Sequence, residues 1–224
     1  RPRPSLFYAT EAMSQLEYLI VLVSILVGLG LADLTESLRD LVLPERNVRW
    51  DGLPVAWAVI VVGYVLAAWW TFYDLLQSAV WHRPLTFLPV LLTTLALYLL
   101  CAFALPDADR EDVSYVTTDA RGTKTVDLET FYLSSTHRRW FFGTAAIFSL
   151  LFIGTVNAGM VYDGDRALQM GIRQTLFALP ILPIPALILI ATRHRWVHWG
   201  LTLYSMGWVV YLLSDVANAL AGGG

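Results

Sequence analysis

Apolar positions in this chain do not alternate with polar ones but run on in long blocks. Six stretches, 16–33, 54–80, 85–105, 140–161, 172–192 and 196–219, are apolar nearly throughout. Each is close to or above the roughly 20 residues that a helix rising about 1.5 Å per residue needs to cross hydrocarbon. The pattern predicts an all-α fold, a polytopic membrane helix bundle of six transmembrane helices, with residues 1–224 forming a single membrane domain. The first run, with no small-residue cleavage site after it, reads as its own signal anchor.

The joints between the runs are predicted from the same pattern. Leu34, Leu38, Leu41 and Val42 continue the first run at helical spacing, while Thr35, Glu36, Arg39 and Asp40 take the opposite face, so the helix extends over 34–43. Pro44 should end it, "PERNVRWDGLP" should be a polar loop, and Pro54 falls in the first turn of the next helix, where its missing N–H costs nothing. "HRP" and "RHRW" are short enough to require antiparallel hairpins. The one sizeable polar segment, 106–138, is read as a cytoplasmic loop between the third and fourth spans. Weak alternation around Val113, Tyr115 and Val116, with Arg121–Gly122 at a turn, predicts a small β-hairpin there, followed by the amphipathic lead "LETFYLSSTHRRW".

Composition confirms the class. Hydrophobic residues make up 57% and charged residues 15%, with a mean hydropathy of +0.58, against about a quarter charged in soluble domains. The single cysteine, Cys101, excludes an intrachain disulfide, a CxxC redox pair and a cysteine zinc site. Placing the N-terminus outside gives ten Lys and Arg residues to the inner loops and five to the outer ones. The positive-inside rule then puts both termini outside a bacterial inner membrane.

Ionisable groups at membrane depth are the first place to look for function, because hydrocarbon penalises their charge. Asp74, Arg173 and Asp215, with Asn157, all fall near the outer ends of their spans. They are candidates for a ligand site or for a structural ion pair. Near the bilayer centre the polar residues are Ser24, Tyr64, Thr93, Thr94, Ser149 and Ser205, which suit hydrogen bonds between helices. Ser24 with Gly28, and Gly154 with Ala158, form small-xxx-small pairs expected at close helix contacts. Pro180, Pro183 and Pro185 lie within six residues of the fifth span and should kink it.

His82, His137, His194 and His198 all lie at helix ends, whereas a membrane haem needs axial histidines within the spans. No metal or cofactor is therefore expected, beyond interfacial contact with lipid or a pigment. Trp50, Trp57, Trp81, Trp140, Trp196 and Trp199 lie near span ends as an aromatic belt, with Trp69, Trp70 and Trp208 further in.

"LEYLIVLVSILVGLGLADL" at 16–34 and "HRRWFFG" at 137–143 resemble stretches in a group of small bacterial integral membrane proteins with about six spans. That resemblance implies one bacterial membrane domain. The group carries no assigned activity, so it supplies no functional residues.

The chain has no nucleophile and base pair, no metal set and no phosphate loop, which argues against an enzyme. The expectation is a non-catalytic accessory or structural subunit of a larger, energy-transducing membrane complex. Its partners would be other membrane subunits and lipids rather than nucleic acid. The alternative is a small transporter or channel working through the proline-kinked fifth helix and the outer polar cluster.

Overall fold

The computed structural model describes residues 15–43, 47–107, 114–118, 124–161 and 183–222. It is mostly helical. Helix α1 spans Gln15–Val42, α2 Gly52–Leu76, α3 Pro84–Ala104, α4 Leu128–Leu133, α5 Ser135–Val161, α6 Pro183–Ala191 and α7 Arg195–Gly222. Three short strands, β1 (Asn47–Arg49), β2 (Val116–Thr118) and β3 (Lys124–Asp127), form one sheet in the order β1-β3-β2.

Among the described residues, four helices, α1, α2, α3 and α5, are long and apolar enough to cross a membrane. Most of the fifth predicted span lies outside the described residues, and α6 is its last part. The sixth is a single helix, α7, of 28 residues, interrupted in polarity by Thr202, Ser205 and the hydroxyls of Tyr204 and Tyr211. Helix α1 does continue past the membrane as its spacing predicts, to Val42.

Side-chain contacts fix the relative directions of the long helices. Trp57 of α2 meets Phe141 and Phe142 of α5, and further along Phe72 meets Phe152, so α2 and α5 run parallel. Gly52 approaches Trp199 and Gly63 approaches Val209, so α7 runs with them. Helix α3 opposes α5, because Thr93 bonds Thr155 at 3.1 Å and Phe103 meets Trp140. Helix α1 runs with α3, since Gln15 at its start bonds the His82 carbonyl just before α3 and Gly30, further along, lies against Tyr98 and Cys101. Arg138 at the start of α5 reaches the Ile190 carbonyl at the end of α6, so helices α1, α3 and α6 lead toward the end that carries the sheet, and α2, α5 and α7 lead away from it.

Burial is uneven across the bundle. In α2, 61% of the apolar window is buried, against 22% in α1, so α2 is the central post and α1 lies at the periphery. The core around α2 is aromatic: Trp57, Phe72, Phe141 and Phe142 are all at most 2% exposed. Trp57 and Trp81 are core residues rather than belt residues, whereas Trp50, Trp140 and Trp196 are more than half exposed.

The β-hairpin predicted in the 106–138 loop is present, with β2 antiparallel to β3. The parallel partner was not legible: residues 47–49, read as plain loop, pair with β3 through Val48 and Val126. Val126 is 1% exposed and brings the sheet onto the helix ends. Asp127 then ends β3 and caps α4 by accepting the Thr130 N–H at 3.0 Å, so strand passes to helix without a loop.

Candidate functional site

Polar chemistry gathers at the sheet end, where three separated pieces of chain converge. Asp51 is in extended backbone before α2 and accepts the Leu53 N–H at 2.9 Å, satisfying an orphan donor of the first turn. Its other carboxylate oxygen is paired with Arg195 at the start of α7, and a second Arg195 nitrogen bonds Glu129 of α4. One guanidinium thus ties α2, α4 and α7 together with the forked geometry that suits arginine. Asp127, besides capping α4, pairs with Arg49 of β1 at 3.3 Å.

A second clamp lies beneath the first. The Tyr132 hydroxyl is 2.9 Å from Nδ1 of His198, and His198 Nε2 is 3.2 Å from the Thr192 carbonyl. Because a carbonyl can only accept, Nε2 carries the proton and Nδ1 accepts from the Tyr132 O–H. His198 is fully buried. Burial also raises the Tyr132 hydroxyl well above its ordinary pKa, which keeps it a donor. Thr202, one turn on, donates to the His198 carbonyl at 2.7 Å.

Arg138, at 5% exposure, turns its guanidinium to the carbonyls of Ile190 and Thr192 at the end of α6. Those are orphan acceptors of a helix C-terminus, where a cation is also favoured by the helix dipole. The charge is thereby spent on closing the α6–α7 turn.

Beside these clamps lies a cleft of about 560 Å³, between the end of α3 and the starts of α4 and α5. Phe103, Tyr115, Phe131 and Trp140 line it, with Asp107 and His137. The His137 ring stacks on Phe141 at 5.2 Å with a 10° interplanar angle, and its centroid is 4.2 Å from that of Phe131.

The opposite end holds Asp74, Asn157 and Asp215 among the residues singled out from the sequence. Asp74 is exposed and makes no ion pair among the described residues. Asn157 is half-buried on α5. Asp215 lies on α7, in the half of the bundle away from the sheet. Arg173 and Pro180 lie outside the described residues. Pro183 and Pro185 open α6 within its first turn, with Pro183 as the first residue.

The expected small-residue contacts are redistributed. A Cβ added at Gly28 or Gly154 would meet nothing within 4 Å, whereas one at Gly30 or Gly63 would press on a neighbouring helix. Ser24 does meet a neighbour, accepting the Trp69 indole N–H at 3.1 Å, and Ala158 packs on the core.

Among the described residues, no group of three or more His, Cys, Asp or Glu side chains is arranged to hold a metal ion. No family model, curated protein or solved structure matches this chain.

Proposed function

We propose that this chain is a non-catalytic accessory subunit of a larger bacterial membrane complex, energy-transducing in kind, with six crossings and its sheet end in the cytoplasm. The observation that carries this reading is the way the sheet-end polar groups are used. Arg195, Asp51, Glu129, Tyr132, His198 and Arg138 each hold one chain segment to another. Groups so engaged position a scaffold, each holding one segment of chain against another. The alternating directions of the six helix segments support six crossings, and the Lys and Arg count supports the orientation.

The peripheral position of α1 suits a subunit with neighbours. Its exposed apolar side chains, Tyr18, Val21, Ile25 and Leu29, form one face along the helix. Extraction from the native membrane in mild detergent, followed by native gel and mass spectrometry, tests the reading. Stoichiometric co-migration with a respiratory or photosynthetic complex is expected; a lone monomer or homodimer would overturn it.

One observation favours transport as the second reading. The Tyr64 hydroxyl and the Ser205 hydroxyl are buried within the helices and have no hydrogen-bond partner among the described residues. Buried polar groups of this kind ask for water or a ligand. Loss of solute uptake in Tyr64→Phe and Ser205→Ala would shift the weight to that reading.

A further inference from the structure

The arginines of the sheet end fall into two groups. Arg49 and Arg195 are ion-paired, with Asp127 for the first and with Asp51 and Glu129 for the second. Arg139, near the start of α5, and Arg193, in the α6–α7 turn, are exposed and make no hydrogen bond or ion pair among the described residues. Between them Arg138 is buried and bonds only carbonyls, those of Ile190 and Thr192, while its Nε has no partner among the described residues.

That buried arginine sets the geometry of the other two. By holding the Thr192 carbonyl, Arg138 brings Arg193, the next residue, to the start of α5, where Arg139 follows it in the chain. The three charges are near enough to oppose one another: Arg193 and Arg139 both act against the charge of Arg138, and no carboxylate among the described residues offsets it. A cluster of like charges is costly unless an anion compensates it. Folding itself does not call for Arg139 and Arg193, since neither side chain holds another segment of chain.

We propose that Arg139 and Arg193 together bind the phosphates of an anionic phospholipid, and that the uncompensated charge selects a headgroup with two phosphates over a headgroup with one. Guanidinium suits this ligand, because its N–H groups meet phosphate oxygens in pairs. Arg138, sealed from solvent, adds its field without contact. The surroundings fit a lipid rather than an acidic protein. Helices α5 and α7 both begin here, and Trp140 and Trp196, close in sequence to the two arginines, are 63% and 88% exposed, as aromatic side chains at headgroup level are. The inference rests on the proposed membrane crossings, but not on the accessory role or on which side of the membrane the sheet faces.

The test uses the full chain in nanodiscs containing equal phosphatidylethanolamine, phosphatidylglycerol and cardiolipin, with retained lipid read by native mass spectrometry after transfer to detergent. The wild type should retain doubly charged cardiolipin above phosphatidylglycerol, and neutral phosphatidylethanolamine least. Arg139→Gln and Arg193→Gln should each cut the preference for cardiolipin about fivefold, the worth of one arginine beside an anionic lipid. Both variants should keep the wild-type melting temperature without added lipid, because neither side chain holds the fold together. Arg49→Gln, which removes an ion-paired arginine of the same end, should leave the preference unchanged. An equal loss in that variant would mean that net charge alone is sensed, and the proposal would fall. Cardiolipin retained against millimolar pyrophosphate supports the lipid; displacement by pyrophosphate, with the same dependence on Arg139 and Arg193, makes this a site for a soluble diphosphate and overturns the lipid assignment. Equal retention of the three lipids, or a preference untouched by both glutamine variants, overturns the proposal outright.

Discussion

The hydroxyl of Tyr132 donates to Nδ1 of His198 at 2.9 Å, joining α4 to α7 across 66 residues of chain. Neither group is within reach of bulk water, so each depends on the other. Tyr132→Phe leaves Nδ1 of a fully buried imidazole unpaired and should cost about 1–3 kcal/mol, the usual penalty for orphaning a buried polar group. Thermal unfolding in detergent, followed by circular dichroism, measures it.

The same tyrosine makes stability depend on alkaline pH. Burial raises its hydroxyl pKa above the ordinary value of about 10. The folded state then keeps a proton that the unfolded chain releases. Its contribution is intact below about pH 10 and is lost as pH rises from there toward the folded value. The melting temperature should fall between about pH 9 and pH 11, and the fall should be smaller in Tyr132→Phe.

Arg195 holds two carboxylates, one of which is 5% exposed at the side chain, while the arginine itself is 43% exposed. Solvent screening of the arginine limits the pair's net value, but removing it strands Asp51. Arg195→Ala should destabilise by about 1–2 kcal/mol. Asp51→Ala should cost at least as much, because it also removes the cap of α2. A double-mutant cycle between the two should show coupling, and additive losses would mean that the pair is not formed.

Glycine substitutions separate two kinds of helix surface. A Cβ at Gly63 would sit 2.2 Å from Val209 Cγ1, too close unless the Val209 side chain turns or α2 moves from α7. Gly63→Ala should cost about 1–3 kcal/mol, and Val209→Ala in the same chain should recover much of it. Gly28→Ala, with nothing within 4 Å, should be neutral or slightly stabilising. Melting temperatures of the three variants decide this.

The two ends of the bundle should be reached from opposite sides of the membrane. With Cys101 replaced by serine, single cysteines at Arg49 beside the sheet and at Leu85, which is 85% exposed at the α2–α3 hairpin, give the test. A membrane-impermeant maleimide added to intact spheroplasts should label the Leu85→Cys protein and spare the Arg49→Cys protein until the cells are lysed. Labelling of both from outside would refute the assigned crossing pattern.

How much of this was legible depends on the reach of each interaction. The β-hairpin over Val116–Asp127 could be read because its strands are neighbours in sequence. The parallel pairing of Asn47–Arg49 with β3 could not, since it joins segments 78 residues apart. The Asp51 cap carries a local signal, an aspartate just before a helix with proline in its first turn. The pairing of Asp51 with Arg195 spans 144 residues and carries none.

The sequence by itself determined that this is a membrane protein of helices. A long apolar run leaves its backbone groups no water to bond, and a helix satisfies them within the segment. Charge counts and short hairpin joints then constrain the order and direction of the helices. The rotation of each helix about its axis was decided only by the tertiary structure. Helices that are apolar on every side have no stripe to mark which face meets lipid and which meets protein. For that reason Gly30 and Gly63, rather than Gly28 and Gly154, became the close approaches. The polar residues of the sheet end likewise find their partners in distant segments, which no local pattern marks.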